Sequence, residues 1–164
     1  MIDTFLMIYI IFCRLLELFL SKKNTQKLLE EGAVEFYKTH YIFIVLFHVF
    51  FTAFFLYKSF FNNTINLEYL YLFIVVQFLR YKIIYDLGKF WTTRIIVIHK
   101  PLVKTFLFRY LRHPNYIIVF FEVLLVCLFF DDFISVFLFS SVNFVLICIR
   151  IFYEEKANKF RQKF

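Results

Sequence analysis

An all-α membrane bundle of about five transmembrane helices, the last two forming a helical hairpin, is the fold this sequence predicts. Three observations carry that expectation: an apolar, aromatic composition, apolar runs of membrane-crossing length, and basic charge that returns at every second connection. Hydrophobic residues make up 62% of the 164-residue chain and aromatic residues 24%, with 28 Phe and 11 Tyr. Mean hydropathy is +0.74. An ordinary soluble domain is roughly 45–50% apolar, and a soluble core of this size could not hide so many rings from water. Two Gly and two Pro are too few to punctuate a turn-rich β-sandwich or barrel. Residues 1–164 therefore read as a single membrane domain with no separate soluble module.

A hydrocarbon core about 30 Å thick calls for roughly 20 mostly apolar residues per helix. Such runs fall at 2–20, 40–60, 67–86, 115–131 and 133–152. The first carries no basic n-region, and Arg14 and Glu17 interrupt it before any small-residue cleavage site, so it reads as a span and not as a signal peptide. Those two residues stand three apart on one helical face and form a self-neutralising pair. The second run contains His48, which reads as an interhelical hydrogen-bonding residue. The fourth follows Pro114, whose missing N–H costs nothing in a first helical turn. It carries Glu122 about two turns in. A charge at that depth costs on the order of 2.5–3.5 kcal/mol on insertion scales, so Glu122 must pair with a basic residue of another helix or line a polar pocket. Between the fourth and fifth runs stand Asp131 and Asp132 alone, which makes a tight hairpin.

Charge tests the span count independently. The segments 21–39, 82–114 and 150–164 hold sixteen of the 19 Lys and Arg residues, whereas 61–66 and 131–132 hold none. Under the positive-inside rule this alternation sets the N-terminus outside and the C-terminus in the cytoplasm. The net charge of +7 is thus topological, and no nucleic-acid partner is needed to explain it. The long segment 82–114 contains Trp91 and both prolines, and long ordered connections in small proteins tend to be functional. Cys13, Cys127 and Cys148 lie singly inside apolar runs and make neither a disulfide framework nor a metal site. Asn62-Asn63-Thr64 matches a glycosylation sequon, which an Asn-rich turn produces by chance.

The densest polar constellation is Arg112-His113-Pro114-Asn115-Tyr116, at the start of the fourth span. A helix N-terminus offers free N–H groups and partial positive charge. With Arg112 and His113 beside it, the segment suits a carboxylate-bearing ligand at the membrane surface. A second cluster closes the fifth span: Arg150, then Glu154 and Glu155. Arg150 and Glu154 share a face, and Glu155 is turned about 100° away. Carboxylates at a helix C-terminus oppose the helix dipole, so they answer a demand other than helix stability. The hairpin brings the two clusters to one depth, where His113, Asn115, Tyr116, Arg150 and Glu154 can line one pocket.

At these residues the chain resembles the isoprenylcysteine carboxyl methyltransferase family of integral-membrane, S-adenosylmethionine-dependent enzymes. The carrying features are RHPNY at 112–116, preceded by Pro101-Leu102-Val103 and Phe108, and Arg150 followed by Glu154-Glu155. The short bacterial members are most similar, with matching Arg14, Glu17, Asn24, Gly32-Ala33-Val34-Glu35, His40-Tyr41 and the run from Leu87 to Thr93. The resemblance implies a cofactor-binding part at 87–164. Leu102, Val103, Phe108, His113, Pro114, Asn115, Tyr116 and Glu154 would contact S-adenosyl-L-methionine, and Arg150 would be the catalytic residue facing the acceptor. Phe106 stands where the family usually has Gly, and Phe108 where it usually has Tyr.

The implied reaction moves a methyl group to an acidic oxygen, a carboxylate or an enol, of a lipophilic acceptor drawn from the membrane lipid phase. Prenylated cysteine and alkylpyrones are both acceptor classes in the family, and the implied location is the bacterial inner membrane. Such a displacement needs alignment more than a general base, which suits a sequence with no evident strong base. Two alternatives remain open. One is a reductase-like relative using NADPH, with Arg109 and Arg112 near a 2′-phosphate. The other is a non-enzymatic membrane subunit or transporter, although transport predicts polar residues at the midplane, and here most gather at one end.

Overall fold

The computed structural model of the chain describes residues 1–61, 65–98 and 106–161. Its apolar runs fold as α1 (Ile2–Glu30), α2 (Lys38–Ser59), α3 (Leu67–Leu87), α5 (Pro114–Phe129) and α6 (Phe133–Arg161), with a short α4 (Phe106–Tyr110) ahead of α5. Among these, α1, α2 and α6 are long and apolar enough to cross a membrane. Phe5, Phe19, Phe78 and Phe137 are each at least 70% exposed, an outer surface suited to lipid and not to water. The chain is an integral membrane protein.

The remaining two helices form where the runs 67–86 and 115–131 place them, but are too charged or too short to count with those three. α3 has 21 residues, but its second half carries Arg80, Lys82 and Asp86. α5 has 16 residues, about 24 Å at 1.5 Å per residue, which falls short of a hydrocarbon core about 30 Å thick.

The all-α expectation holds, with one small addition to it. β1 (Val34–Phe36) and β2 (Ile95–Val97) form an antiparallel ribbon, with Val34 opposite Val97 and Phe36 opposite Ile95. The β-branched run Ile95-Ile96-Val97 favours extended backbone. α1 delivers β1 to that position. It continues ten residues past the apolar run because 21–30 is dominated by Lys, Gln, Leu and Glu, which are good helix formers. It then stops at Gly32 (φ +88), where the Gly32 N–H donates to the Leu29 carbonyl and the Ala33 N–H to the Leu28 carbonyl, 3.0 and 2.9 Å. These paired bonds satisfy the helix's last carbonyls and require a left-handed residue.

The hairpin between α5 and α6 uses the same device with a different residue. Asp131 adopts φ +50, its N–H donating to the Leu128 carbonyl and that of Asp132 to the Cys127 carbonyl, 3.1 and 3.3 Å. Asp tolerates the left-handed region better than most side chains. Asp132 then caps α6, accepting from the Ser135 N–H at 3.0 Å and the Ser135 hydroxyl at 2.8 Å. It also binds the Lys58 ammonium at the end of α2, and the Asn66 N–H donates to the Phe129 carbonyl at 2.9 Å. Four helix ends are thereby tied together. Phe47, Phe51, Phe55, Phe130 and Phe139 pack behind them as one aromatic cluster, with Phe51 and Phe139 edge to face at 5.2 Å.

Partial burial raises the Asp132 carboxyl, but the Lys58 ammonium and the two Ser135 donors outweigh it and hold the group below its ordinary value of 3.8. A depressed carboxyl stabilises the fold above its unfolded value and loses that contribution as pH falls through the folded one. The thermal midpoint of the detergent-solubilised protein should therefore drop below about pH 4. Asp132→Ala should lose about 1–2 kcal/mol at pH 7, through the cap and its ion pair, and should flatten the acid limb. An unchanged acid limb would show that Asp132 does not contribute to it.

Candidate functional site

Charge inside the bundle is concentrated in one layer. Glu17 of α1 accepts from Arg14 Nη1 at 2.9 Å and from Arg80 Nε and Nη2 of α3. Glu122 of α5 accepts from Arg14 Nη2, Arg80 Nη1 and Gln77 Nε2, each at 2.7 Å. Two guanidinium and two carboxylate groups thus cancel. All three elements contribute, so the isolated Arg14–Glu17 pair expected from the sequence is one edge of a larger network. Among the described residues no side chain hydrogen-bonds the His48 ring, which packs edge-on against Phe47 at 5.3 Å. The expected interhelical hydrogen bond of His48 is thus not formed among the described residues.

The RHPNY segment sits at the start of α5, about two turns from Glu122. His113 precedes the helix and Pro114 occupies its first position, buried in the bundle. The Tyr116 N–H donates to the His113 carbonyl at 3.2 Å, closing the first turn. The Tyr116 hydroxyl donates to the Glu154 carboxylate and lies 3.3 Å from Arg150 Nε. Arg150 is 6% exposed, and its Nη2 donates to the Thr93 carbonyl at 2.8 Å. Its Nη1 makes no hydrogen bond among the described residues. Glu155, on the neighbouring face, takes Arg112 Nη1 at 3.2 Å and lies 3.6 Å from His113 Nε2.

The connection from α3 to β2 is fixed by α1. Asn24 Nδ2 donates to the carbonyls of Gly88 and Trp91 at 3.0 and 2.9 Å. The Thr93 N–H donates to the Ser21 hydroxyl at 2.8 Å. Arg94 lies over the Tyr41 ring, 4.9 Å from its centroid, and pairs with Glu35 of β1 at 2.6 Å. Ser21 and Asn24 thus hold the carbonyl that orients Arg150. Asn24 stood in the family-like run, and neither its partners nor those of Ser21 could be read from the sequence.

Two cavities meet at this point. One, of about 210 Å³, is lined by the apolar Phe90, Ile95, Ile96 and Phe108 and by the polar Arg94, Arg112, His113, Asn115, Glu154 and Asn158. Two polar atoms on its wall, His113 Nε2 and Asn115 Oδ1, are buried without a hydrogen-bond partner among the described residues. The second, of about 270 Å³, lies deeper between α1, α2 and α6, with mostly aliphatic walls such as Leu15, Val45 and Ile147, and reaches Arg14, Glu17 and Arg80. Trp91, Thr92, Asn115, Tyr116 and Arg150 line both.

The five residues expected in one pocket, His113, Asn115, Tyr116, Arg150 and Glu154, therefore line the first cavity, and Phe108 joins them. Pro114 shapes the helix start. Leu102 and Val103, with Pro101, lie outside the described residues, as does the sequon at 62–64. The backbone of Phe106 is helical in α4, where the resemblance expects a glycine. Arg109 is exposed. Among the described residues no group of His, Cys, Asp and Glu could hold a metal ion.

The family model that matches is the isoprenylcysteine carboxyl methyltransferase family, over residues 69–159. The chain belongs to this methyltransferase family. The match covers α3, the fixed connection, the RHPNY segment and α6, which are the elements that build the first cavity. The uncharacterized protein YpbQ of Bacillus subtilis is 34% identical over 149 residues, spanning 88% of this chain and 89% of that protein. An uncharacterized protein of Haemophilus influenzae is 26% identical over 151 residues, 88% of this chain and 87% of its own length. No solved structure matches the chain.

Proposed function

We propose that this family member is an S-adenosylmethionine-dependent O-methyltransferase acting on an acidic oxygen, carboxylate or enol, of a lipophilic acceptor. The observation that carries the reading is the pair of cavities meeting at Arg150, Tyr116 and Asn115, one polar and the other apolar. The polar cavity fits the cofactor chemically. His113 Nε2 and Asn115 Oδ1, which make no hydrogen bond among the described residues, suit a ligand rich in donors and acceptors. Arg112 suits a carboxylate and Glu154 an ammonium or ribose hydroxyl, while Phe90, Ile96 and Phe108 offer a slot for an aromatic base.

The chemistry the cofactor supplies when bound is a methyl group on a sulfonium, whose S–CH3 bond breaks as the O–CH3 bond forms, sulfur keeping the electron pair and the acceptor oxygen losing its negative charge. Arg150 has Nη1 free to hold that oxygen, while Tyr116 and the Thr93 carbonyl keep the guanidinium in place. An already ionised acceptor needs no base. Proximity and alignment are what the protein supplies, and the apolar chamber excludes water from the reacting atoms. Leu15, Leu18 and Val49 line that chamber and are also 40% exposed or more, so an acceptor dissolved in the bilayer has a lateral way in between α1 and α2.

The same reading sets α1, α2, α3, α5 and α6 as five spans of a bacterial inner-membrane protein. The basic end, with the polar cavity, is cytoplasmic, where the soluble cofactor is available, and the N-terminus is outside. Calorimetry on the detergent-purified protein tests the cofactor assignment. S-adenosylmethionine should bind, and His113→Ala should weaken it by about tenfold to a hundredfold, the cost of one lost polar contact at 1.5–3 kcal/mol. Binding of NADPH in place of S-adenosylmethionine by the folded wild type would overturn the methyl-transfer reading in favour of a reductase.

A further inference from the structure

We propose that Tyr41 is a second donor to the acceptor: its hydroxyl binds one oxygen of the acid group while Arg150 holds the other. The site then selects acids whose negative charge is shared by two oxygens, a carboxylate or an enol conjugated to a carbonyl. This inference rests on the acceptor reading above and names the class of acid within it. Tyr41 stands near the start of α2 and lines the apolar chamber together with Thr93 and Arg150. Thr93 ties those two side chains to one point. Its carbonyl accepts from Arg150 Nη2 at 2.8 Å, and its hydroxyl donates to the Tyr41 hydroxyl at 3.3 Å.

The Tyr41 proton is left over at the end of a directed chain of hydroxyls. Each hydroxyl has one proton to give and lone pairs with which to accept. The Ser21 hydroxyl oxygen accepts from the Thr93 N–H at 2.8 Å and lies 2.8 Å from the Thr93 hydroxyl oxygen. Thr93 gives its single hydroxyl proton to Tyr41, so the proton between Ser21 and Thr93 belongs to Ser21. Ser21 thus donates to Thr93 and Thr93 to Tyr41, whose own O–H makes no hydrogen bond among the described residues. Donors linked head to tail in this way polarise one another. Arg94 lies on the face of the Tyr41 ring, 4.9 Å from its centroid, and is itself paired with Glu35. The free donor is therefore held in place before any ligand arrives.

A neutral donor suits the oxygen that is not methylated. The S–CH3 bond breaks as the O–CH3 bond forms at the oxygen beside Arg150, and sulfur keeps the electron pair. The negative charge on the acid disappears, and its second oxygen becomes the carbonyl oxygen of an ester or of a conjugated enol ether. A phenol can bond that oxygen before and after the step and keeps its proton throughout. A second cation in its place would favour the ionised acid over the neutral product, because charge-assisted bonds are the stronger kind.

Trp91 is the single tryptophan and lines the chamber, so its fluorescence follows occupancy. Dodecanoic acid, its methyl ester and dodecyl methyl ether would be titrated into wild type and Tyr41→Phe in one detergent, at a pH where the acid is ionised. The ratio of variant to wild-type affinity for each ligand cancels its partition into micelles. The acid and the ester carry the second oxygen, and the ether does not. Tyr41→Phe should weaken the acid and the ester alike by about tenfold, the loss of one neutral hydrogen bond, and leave the ether within about twofold. Equal weakening of all three would mark a packing role, and weakening of the acid alone a role exerted through the charge of Arg150. Either result overturns the proposal, as does no weakening at all. The infrared carbonyl stretch of the isotope-labelled ester gives a second reading. It should fall to lower wavenumber on binding wild type and return in Tyr41→Phe. Should the variant fail to fold, the wild-type spectrum decides, an unshifted carbonyl overturning the contact. Wild type that binds none of the three overturns the proposal and the acceptor reading together. Selective loss without methyl transfer from S-adenosylmethionine to the acid keeps Tyr41 as a donor and removes the acceptor reading. Methyl transfer with unselective loss does the reverse.

Discussion

Arg150→Ala should abolish methyl transfer while S-adenosylmethionine still binds within about threefold of wild type, and Glu154→Ala should lose both. Both side chains bond the Tyr116 hydroxyl, yet their further partners differ. Arg150 leans on the Thr93 carbonyl and lines both cavities, whereas Glu154 lines the polar one alone. Arg150 positions the acceptor oxygen, whose misplacement by about 1 Å costs about 10²-fold in rate, and its truncation also removes the only cation facing both chambers among the described residues. Arg150→Lys is the informative control. It keeps the charge but cannot hold Tyr116, Thr93 and an acceptor oxygen at once, because the planar fork is lost. Its turnover should remain at least about tenfold below wild type. Radiometric methyl transfer alongside calorimetry separates the cases, and equal loss of cofactor binding in the Arg150 and Glu154 variants would overturn the division of roles.

How far the sequence revealed this arrangement depends on chain distance. The pocket residues were legible because RHPNY opens one helix and the Arg150–Glu155 cluster closes the next, the two joined by a tight three-residue turn, so helical periodicity brings them together. The partner of Glu122 was legible as a requirement and not as an identity. Its depth demanded a cation from another helix, but nothing in spacing singles out Arg80, 42 positions away. Three-residue strands are too short for alternation to register, so the ribbon of β1 and β2 was invisible until Gly32 and the end of α1 placed it. The hold of Ser21 and Asn24 on the 88–93 connection was hidden for a related reason. Their partners are mostly backbone carbonyls and N–H groups, which every residue carries. The span count suffered from the opposite problem. Charge alternation supports five crossings, while α3 and α5 owe part of their polarity and shortness to the network and pocket they build.

That network supplies the second large effect. Glu122→Leu and Arg80→Leu should each destabilise the protein by about 3–5 kcal/mol, because each leaves an unpaired charge at a buried site. Glu122 is 3% exposed and Arg80 4%, so water cannot take over the lost partner. The double variant Arg80→Leu/Glu122→Leu should recover most of that loss. It removes one charge of each sign and leaves Arg14 paired with Glu17 at 2.9 Å, while two apolar side chains fill the vacated volume. Replacing a buried ion pair with well-packed hydrophobic residues is often neutral or favourable. The coupling energy of this cycle, read from denaturation of the purified protein in one detergent, should reach about 2–3 kcal/mol, the upper range for residues in one ion-pair network. Strict additivity would mean that the two side chains are solvated independently and that the layer is not one electrostatic unit. Cofactor binding should survive in the double variant, since neither residue lines the polar cavity.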